Sequence, residues 1–246
     1  MTIESTIDVS IHPLDDPVRA SLRGEHRRFA RWVGRIGRYD PAVARFVGHP
    51  PVLGEQDWAD LATLLGPGGS TALRGHGHVP PQGWTVVNEL ASVQMDGAAL
   101  RVADDPEFDI LTAADVPEIL ELIARTEPGP YAPRTIEMGT YLGLRVDGRL
   151  VAMAGERMHP PGWTEISAVC TDAEFRGRGF ASRLIRAVGS GIRARGETPF
   201  LHAVAQNATA ISVYETLGFT LRKRSVLTIV QAPLAQSSAG GATAPH

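Results

Sequence analysis

The apolar positions in the second half of the chain follow two clear periods. Val116, Ile119, Leu120 and Ile123 recur at helical spacing directly after Thr112-Ala-Ala-Asp115, a segment suited to a reciprocal N-terminal cap. Glu127-Pro128-Gly129-Pro130 ends that helix. Tyr141 to Val146 then alternates with the period of a strand. Asp147-Gly148 supplies two residues that tolerate positive φ in a tight hairpin, and Leu150 to Met158 returns as the second arm. Trp163 to Cys170 reads as a third strand. Leu184, Ile185, Val188 and Ile192 mark one face of a helix from Gly179 to about Arg195. Pro199 to Val204 is a strand, Asn207 to Leu217 a helix, and Phe219 to Val230 a terminal strand. The predicted class is α/β (mixed α+β), with helices laid on a mixed central sheet.

The first half is less regular. Arg19 to Val47 follows a helical pattern through Phe29, Trp32, Val33 and Ile36, interrupted at Asp40-Pro41. Asp57 to Leu65 reads as a short helix with Asp57 as its N-cap, broken by Gly66-Pro67-Gly68-Gly69. Short strands follow at Ser70 to Leu73, Trp84 to Leu90 and Ala91 to Met95. Asp104-Asp105-Pro106 is the best boundary. It divides the chain into a smaller N-terminal α/β region (1–105), a second domain (106–231) and a small, polar tail (232–246) expected to be disordered.

Composition narrows the function. A net charge of -3 gives no general reason to bind nucleic acid or an anionic membrane. One cysteine, Cys170, cannot close an internal disulfide and fits a reducing compartment. The N-terminus lacks the apolar run of a signal peptide, and no window suits a membrane span. A soluble cytoplasmic protein is expected.

The chemistry concentrates in Arg176-Gly-Arg-Gly-Phe-Ala181, a short polar stretch beyond a strand that opens a helix. A helix N-terminus carries unpaired N–H groups and partial positive charge, and glycines let backbone close on a phosphate. Arg176 and Arg178 add charge, so the segment suits a pyrophosphate. A Walker A loop is excluded because no Gly-Lys-Ser/Thr follows. The dinucleotide fingerprint fits poorly, because Ser182 stands in place of its third glycine and the next strand ends in Gln206-Asn207, not in an acid.

These residues resemble the GNAT superfamily of N-acyltransferases, whose Arg/Gln-x-x-Gly-x-Gly/Ala motif is met by Arg176, Gly179 and Ala181. A second signature follows in Leu201 to Asn207, Tyr214 and Gly218-Phe219. The resemblance covers roughly Phe108 to Val230. It implies an acyl-CoA N-acyltransferase (GNAT) fold in the C-terminal half, with acetyl-CoA as cosubstrate. Backbone from Arg176 through Gly177, Arg178, Gly179, Phe180, Ala181 and Ser182 would hold the pyrophosphate. Ala168 and Val169 would pair with the pantetheine arm, Asn207 would bond that arm, and Tyr214 would contact the cofactor and protonate the departing thiolate. The resemblance also implies an amine acceptor, small molecule or peptide, lined by Arg134, Thr135 and Glu137, and it leaves a homodimer open.

An ammonium acceptor needs a base. Glu165 is the first candidate, sharing a face with Ser167 and Val169 if the strand alternates regularly; Glu156 and His202 are its rivals. Cys170 has no basic partner nearby in sequence and reads as a small core residue. His76-Gly77-His78 lacks a third ligand, so no metal is expected. The N-terminal half shows no pyrophosphate motif. It reads either as a degenerate GNAT-like half that walls the acceptor site or as an unrelated helical cap. Three functions stay open: transfer to a small amine, transfer to a protein N-terminus or lysine, and a non-catalytic acyl-CoA sensor.

Overall fold

In a computed structural model, residues 12–75 and 77–234 are described. The cap at Thr112 forms as its residues suggest: Asp115 accepts the Thr112 N–H at 2.7 Å and Thr112 Oγ1 accepts from Ala114. Helix α3 (Val116–Thr126) follows it, after a single 3-10 turn. Strands β6 (Asp109–Leu111), β7 (Tyr141–Val146), β8 (Arg149–Glu156) and β9 (Trp163–Thr171) come next in space. The β7–β8 turn carries positive φ at Asp147 (51°) and Gly148 (80°), as a two-residue hairpin demands. Helix α4 (Phe180–Ala194), β10 (Thr198–Val204), α5 (Ala208–Leu217) and β11 (Thr220–Gln231) complete the second half.

Strands β4 (Ser70–Arg74) and β5 (Thr85–Asp96) come from the first half of the chain. With them, one sheet of 8 strands organises the molecule, in the order β4-β11-β5-β10-β9-β8-β7-β6. β5 lies between β10 and β11, antiparallel to both, while β9 and β10 are parallel. The sheet therefore runs straight across the boundary expected at Asp104–Pro106. The two short strands expected at 84–90 and 91–95 are one continuous strand, β5, because both ends pair with β11.

Helix α4 buries Leu184, Ile185, Val188 and Ile192 against Val151, Ala154 and Ile166 on one face. Each such side chain contributes about 1.5–3 kcal/mol on full burial. On the other face α3 buries Ile119 and Leu122 against Leu150, Met153 and Cys170. The N-terminal segment extends this second layer. Helix α1 (Pro17–Arg23) brings Val18 and Leu22 onto Met138, Met158 and Phe200.

The helix expected over 19–47 is a different structure. After α1 come β1 (Ala30–Val33), β2 (Ile36–Tyr39) and β3 (Val47–Gly48), which form a small separate sheet. Val33 pairs with Ile36 around Gly34, whose φ is 52°, and the Trp32 ring lies where a Cβ on Gly37 would stand. Apolar spacing 29-32-33-36 fits a helix turn and this hairpin equally, and the glycines decide it. Helix α2 (Glu55–Leu65) starts earlier than expected: Asp57 is inside it and reaches back to the Gly54 N–H at 2.8 Å. Ala232 and Pro233 are tied to Gly69 and Gly68 by backbone bonds, so the ordered chain runs past 231. Residues 235–246 of the expected disordered tail lie outside the described residues. No described helix is long and apolar enough to cross a membrane.

Candidate active site

Strand β9 leaves its neighbour part-way along. It pairs with β10 at Trp163, Thr164 and Glu165, the last opposite Phe200. Beyond that point β10 continues beside β5 to Val204, and β9 continues beside β8 to Thr171. A wedge opens between them, edged by backbone of β9 that has no strand partner on this side. A bulge lies at the same place: Met153 pairs with Cys170 but Gly155 with Ser167, so β9 holds one extra residue. Ala168 takes φ 52°, a conformation that costs a non-glycine residue about 1–3 kcal/mol and is found where function holds strain.

The bulge changes which residues share a face. Val169 packs towards the α4 core, whereas Ala168 and Cys170 pack in the α3 cluster. Regular alternation of Glu165, Ser167 and Val169 is thus broken at Ala168. That insertion left no mark in the sequence, because alanine is ordinary in a strand.

The wedge leads to the start of α4. Gly177 and Gly179 both have φ 78°, and a Cβ at either would meet nothing within 4 Å. The glycines are therefore needed for backbone direction, not clearance. Gly179 caps α4 without a side-chain bond, so the N–H groups of Phe180, Ala181 and Ser182 face outwards. Asp172, bound by Arg125 and Arg149, anchors the root of the loop. Arg176 and Arg178 are exposed at its rim; Arg176 Nε donates to Thr171 O and Arg178 stacks over Phe175. Asn207 Oδ1 accepts from Ala210 N at 3.1 Å, which leaves its amide hydrogens available. Tyr214 lies two turns along α5, its ring against Phe219, and burial raises its pKa.

A diverging strand pair, an extended unpaired edge and a helix N-terminus in line suit a long amide-bearing thioester ending in pyrophosphate.

Glu165 is not a free base. Fully buried, it accepts from Arg157 Nε and NH2, both at 2.7 Å, and from His202 Nδ1 at 2.7 Å. Burial alone would raise its pKa; Arg157, then His202, outweigh this and hold it at about 2. His202 is occupied on both nitrogens. Gln94 donates from Nε2 to Leu14 O and to His202 Nε2, while its Oε1 accepts from Arg222. Those bonds set the Gln94 amide and make His202 a neutral Nδ1–H tautomer, with burial lowering its pKa. Glu156 is likewise taken, by Arg195 and the Thr140 N–H.

The other sequence candidates fall as follows. Burial pushes the Cys170 thiol up to about 11, which suits a core residue and not a nucleophile. Thr135 Oγ1 is buried, donating to Val43 O and accepting from Ala132 N. Arg134 and Glu137 pair with each other at the surface, and Arg134 also meets Asp40. These three residues join the N-terminal segment to the turn after α3. His78 Nε2 bonds Arg74 O, His76 lies outside the described residues, and no three-ligand metal cluster occurs among the described residues. Arg157, Gln94 and Arg74 carried no signal in the sequence, since single polar residues read as surface until the fold buries them.

Known proteins resemble this chain in sequence and fold. The FR47-like protein family matches residues 141–227. The N-alpha-acetyltransferase RimI of Mycobacterium tuberculosis is 33% identical over 128 residues, covering 46% of this chain and 80% of that protein. A solved structure from Novosphingobium aromaticivorans, assigned to the GNAT acetyltransferase family, superposes with TM-score 0.83 at 42% identity, over 91% of this chain and 99% of that one. A GCN5-related N-acetyltransferase from Kribbella flavida shares the fold at TM-score 0.59 and 16% identity, over 88% and 94% of the two chains.

Proposed function

This chain belongs to the GNAT superfamily of N-acetyltransferases, and from that premise we propose that it moves an acetyl group from acetyl-CoA directly to a primary amine. The observation that carries the reading is the wedge between β9 and β10, aimed at the bare N-terminus of α4. Acetyl-CoA supplies the activated acetyl thioester. Backbone of β9 around Ala168 and Val169 binds the pantetheine arm as a neighbouring strand would, and the Asn207 amide adds a bond. Amides from Gly177 to Ser182 take the pyrophosphate, with Arg176 and Arg178 at its edge. A β9 N–H beside the bulge is placed to polarise a carbonyl oxygen.

Tyr214 Oη carries its proton at neutral pH, as a tyrosine ordinarily does, and burial further disfavours the phenolate, so the hydroxyl is available to give that proton to the thiolate as it departs. Glu165 cannot take the amine's proton while Arg157 binds both its oxygens. Bound water is then the acceptor of that proton, and Glu165 positions Arg157 and His202.

The N-terminal segment, packed over Met138, Met158 and Phe200, walls the acceptor side. That wall favours a small acceptor. The RimI name favours a peptide N-terminus instead, but that alignment spans under half of this chain. Thiol release from acetyl-CoA, followed against a panel of primary amines, tests the reading. Tyr214→Phe is expected to lower kcat by about 10²–10⁴ while acetyl-CoA still binds. Equal kcat in the variant would remove Tyr214 from the chemistry.

A further inference from the structure

A cavity of about 100 Å³ lies beneath the N-terminal segment, on the face of the sheet opposite α4. His49 and Arg74 from the first half and Arg157 and His202 from the second line it, with Asp16 and Ser225 at its wall. His202 stands two residues beyond Phe200, the last β10 residue paired with β9, so the cavity abuts the apex of the wedge.

Its two arginines differ in how directly they are paired. Arg157 is neutralised by the bidentate bond to Glu165 and lies over the Phe46 ring. Arg74 has no such partner: its guanidinium donates to Asp15 O at 3.3 Å, and no carboxylate lies within 4 Å among the described residues. Asp16 at the cavity wall accepts the Arg19 N–H at the start of α1 and acts on Arg74 through its charge, without a direct ion pair. Both histidines are neutral and saturated. His49 bonds Pro50 O through Nδ1 and accepts the Arg74 N–H at Nε2, and His202 is held between Glu165 and Gln94. Arg74 is thus a half-buried cation that cannot lose its proton and has no direct ion-pair partner, beside a second arginine, in a space wide enough for several atoms. An anion within the cavity would satisfy it through charge-assisted bonds.

We propose that this cavity binds a carboxylate on the acceptor, so that the acceptor is a small amine bearing a carboxylate, of the free amino-acid class. The proposal rests on the acetyl-transfer reading and names its substrate class. Arg74 anchors the carboxylate, and the amine then points towards the wedge. A peptide N-terminus, which has an amide where an amino acid has a carboxylate, leaves Arg74 unpaired.

The test uses the full chain and compares the common free amino acids, each with its own carboxamide. Thiol release with acetyl-CoA gives kcat/KM, and calorimetry on the protein saturated with free CoA gives binding without transfer. At least one acid is expected to exceed its amide by about ten- to a hundredfold in both. Arg74→Gln should erase that preference by raising KM, with acetyl-CoA affinity unchanged, and Arg74→Lys should restore part of it. Ser225→Asp, which sets a carboxylate in the cavity, should exclude the acids while amides still bind, and it serves if Arg74→Gln fails to fold. Acids and amides that bind alike, or an acid preference that survives Arg74→Gln, would overturn the proposal. If acetyl-CoA binds but no amine is acetylated, the transfer reading fails, and calorimetry alone still decides the cavity.

Discussion

At the scale of single residues, burial and pairing decide roles that residue type leaves open. A glutamate on the central strand suits a general base by its chemistry, yet Glu165 is enclosed with Arg157 and His202. Its pKa, near 4.5 when exposed, is about 2 in the folded protein. A carboxylate with a depressed folded pKa stabilises above its unfolded value, and that contribution is lost as pH falls from about 4.5 to 2. Glu165→Gln leaves Arg157 buried without its counter-charge and is expected to cost about 3–5 kcal/mol. Urea unfolding at pH 7 and across that acid range should find the variant much less stable and its pH dependence flatter. A stable Glu165→Gln protein with abolished kcat would instead return Glu165 to the role of base. Tyr214 and Asn207 stand where their spacing placed them, since both depend on one regular helix, α5. Arg157 and Gln94 were illegible because their partners are 8 to 128 positions away in sequence.

At the scale of elements, local signals were readable wherever they determine the backbone. The Thr112 cap, the Asp147-Gly148 turn and the Gly177/Gly179 pair all formed as their residue types suggest. Elements set by long-range pairing were not readable: the 30–39 hairpin copies a helical spacing, and β5 is joined into one strand only by β11. The bulge is the sharpest case, because an alanine at φ 52° looks like any strand residue in sequence. Thermal unfolding tests it. Ala168→Gly should be tolerated or mildly stabilising, whereas Ala168→Val, β-branched at positive φ, should cost about 1–3 kcal/mol. A neutral Ala168→Val would place the bulge elsewhere.

At the scale of the whole molecule, the first and second halves share one sheet and one core. β5 fills the place between β10 and β11, and Leu22 and Phe29 close over Met158 and Phe200. A fragment of residues 106–234 would expose both edges left by β5. It is expected to be insoluble or to lack a cooperative thermal transition; a monomeric fragment with a sharp transition would make the halves separate domains. The same shared sheet brings Arg74 from the first half against the apex of a wedge made by the second. That wedge, continued by the α4 N-terminus, is the central claim, and calorimetric titration with acetyl-CoA tests it most directly. The wild type should bind in the micromolar range, and Gly179→Trp, which sets a bulky side chain at the positive-φ cap, should lose binding while its far-ultraviolet circular dichroism is unchanged. Absent binding by the wild type, or undiminished binding by Gly179→Trp, would contradict it.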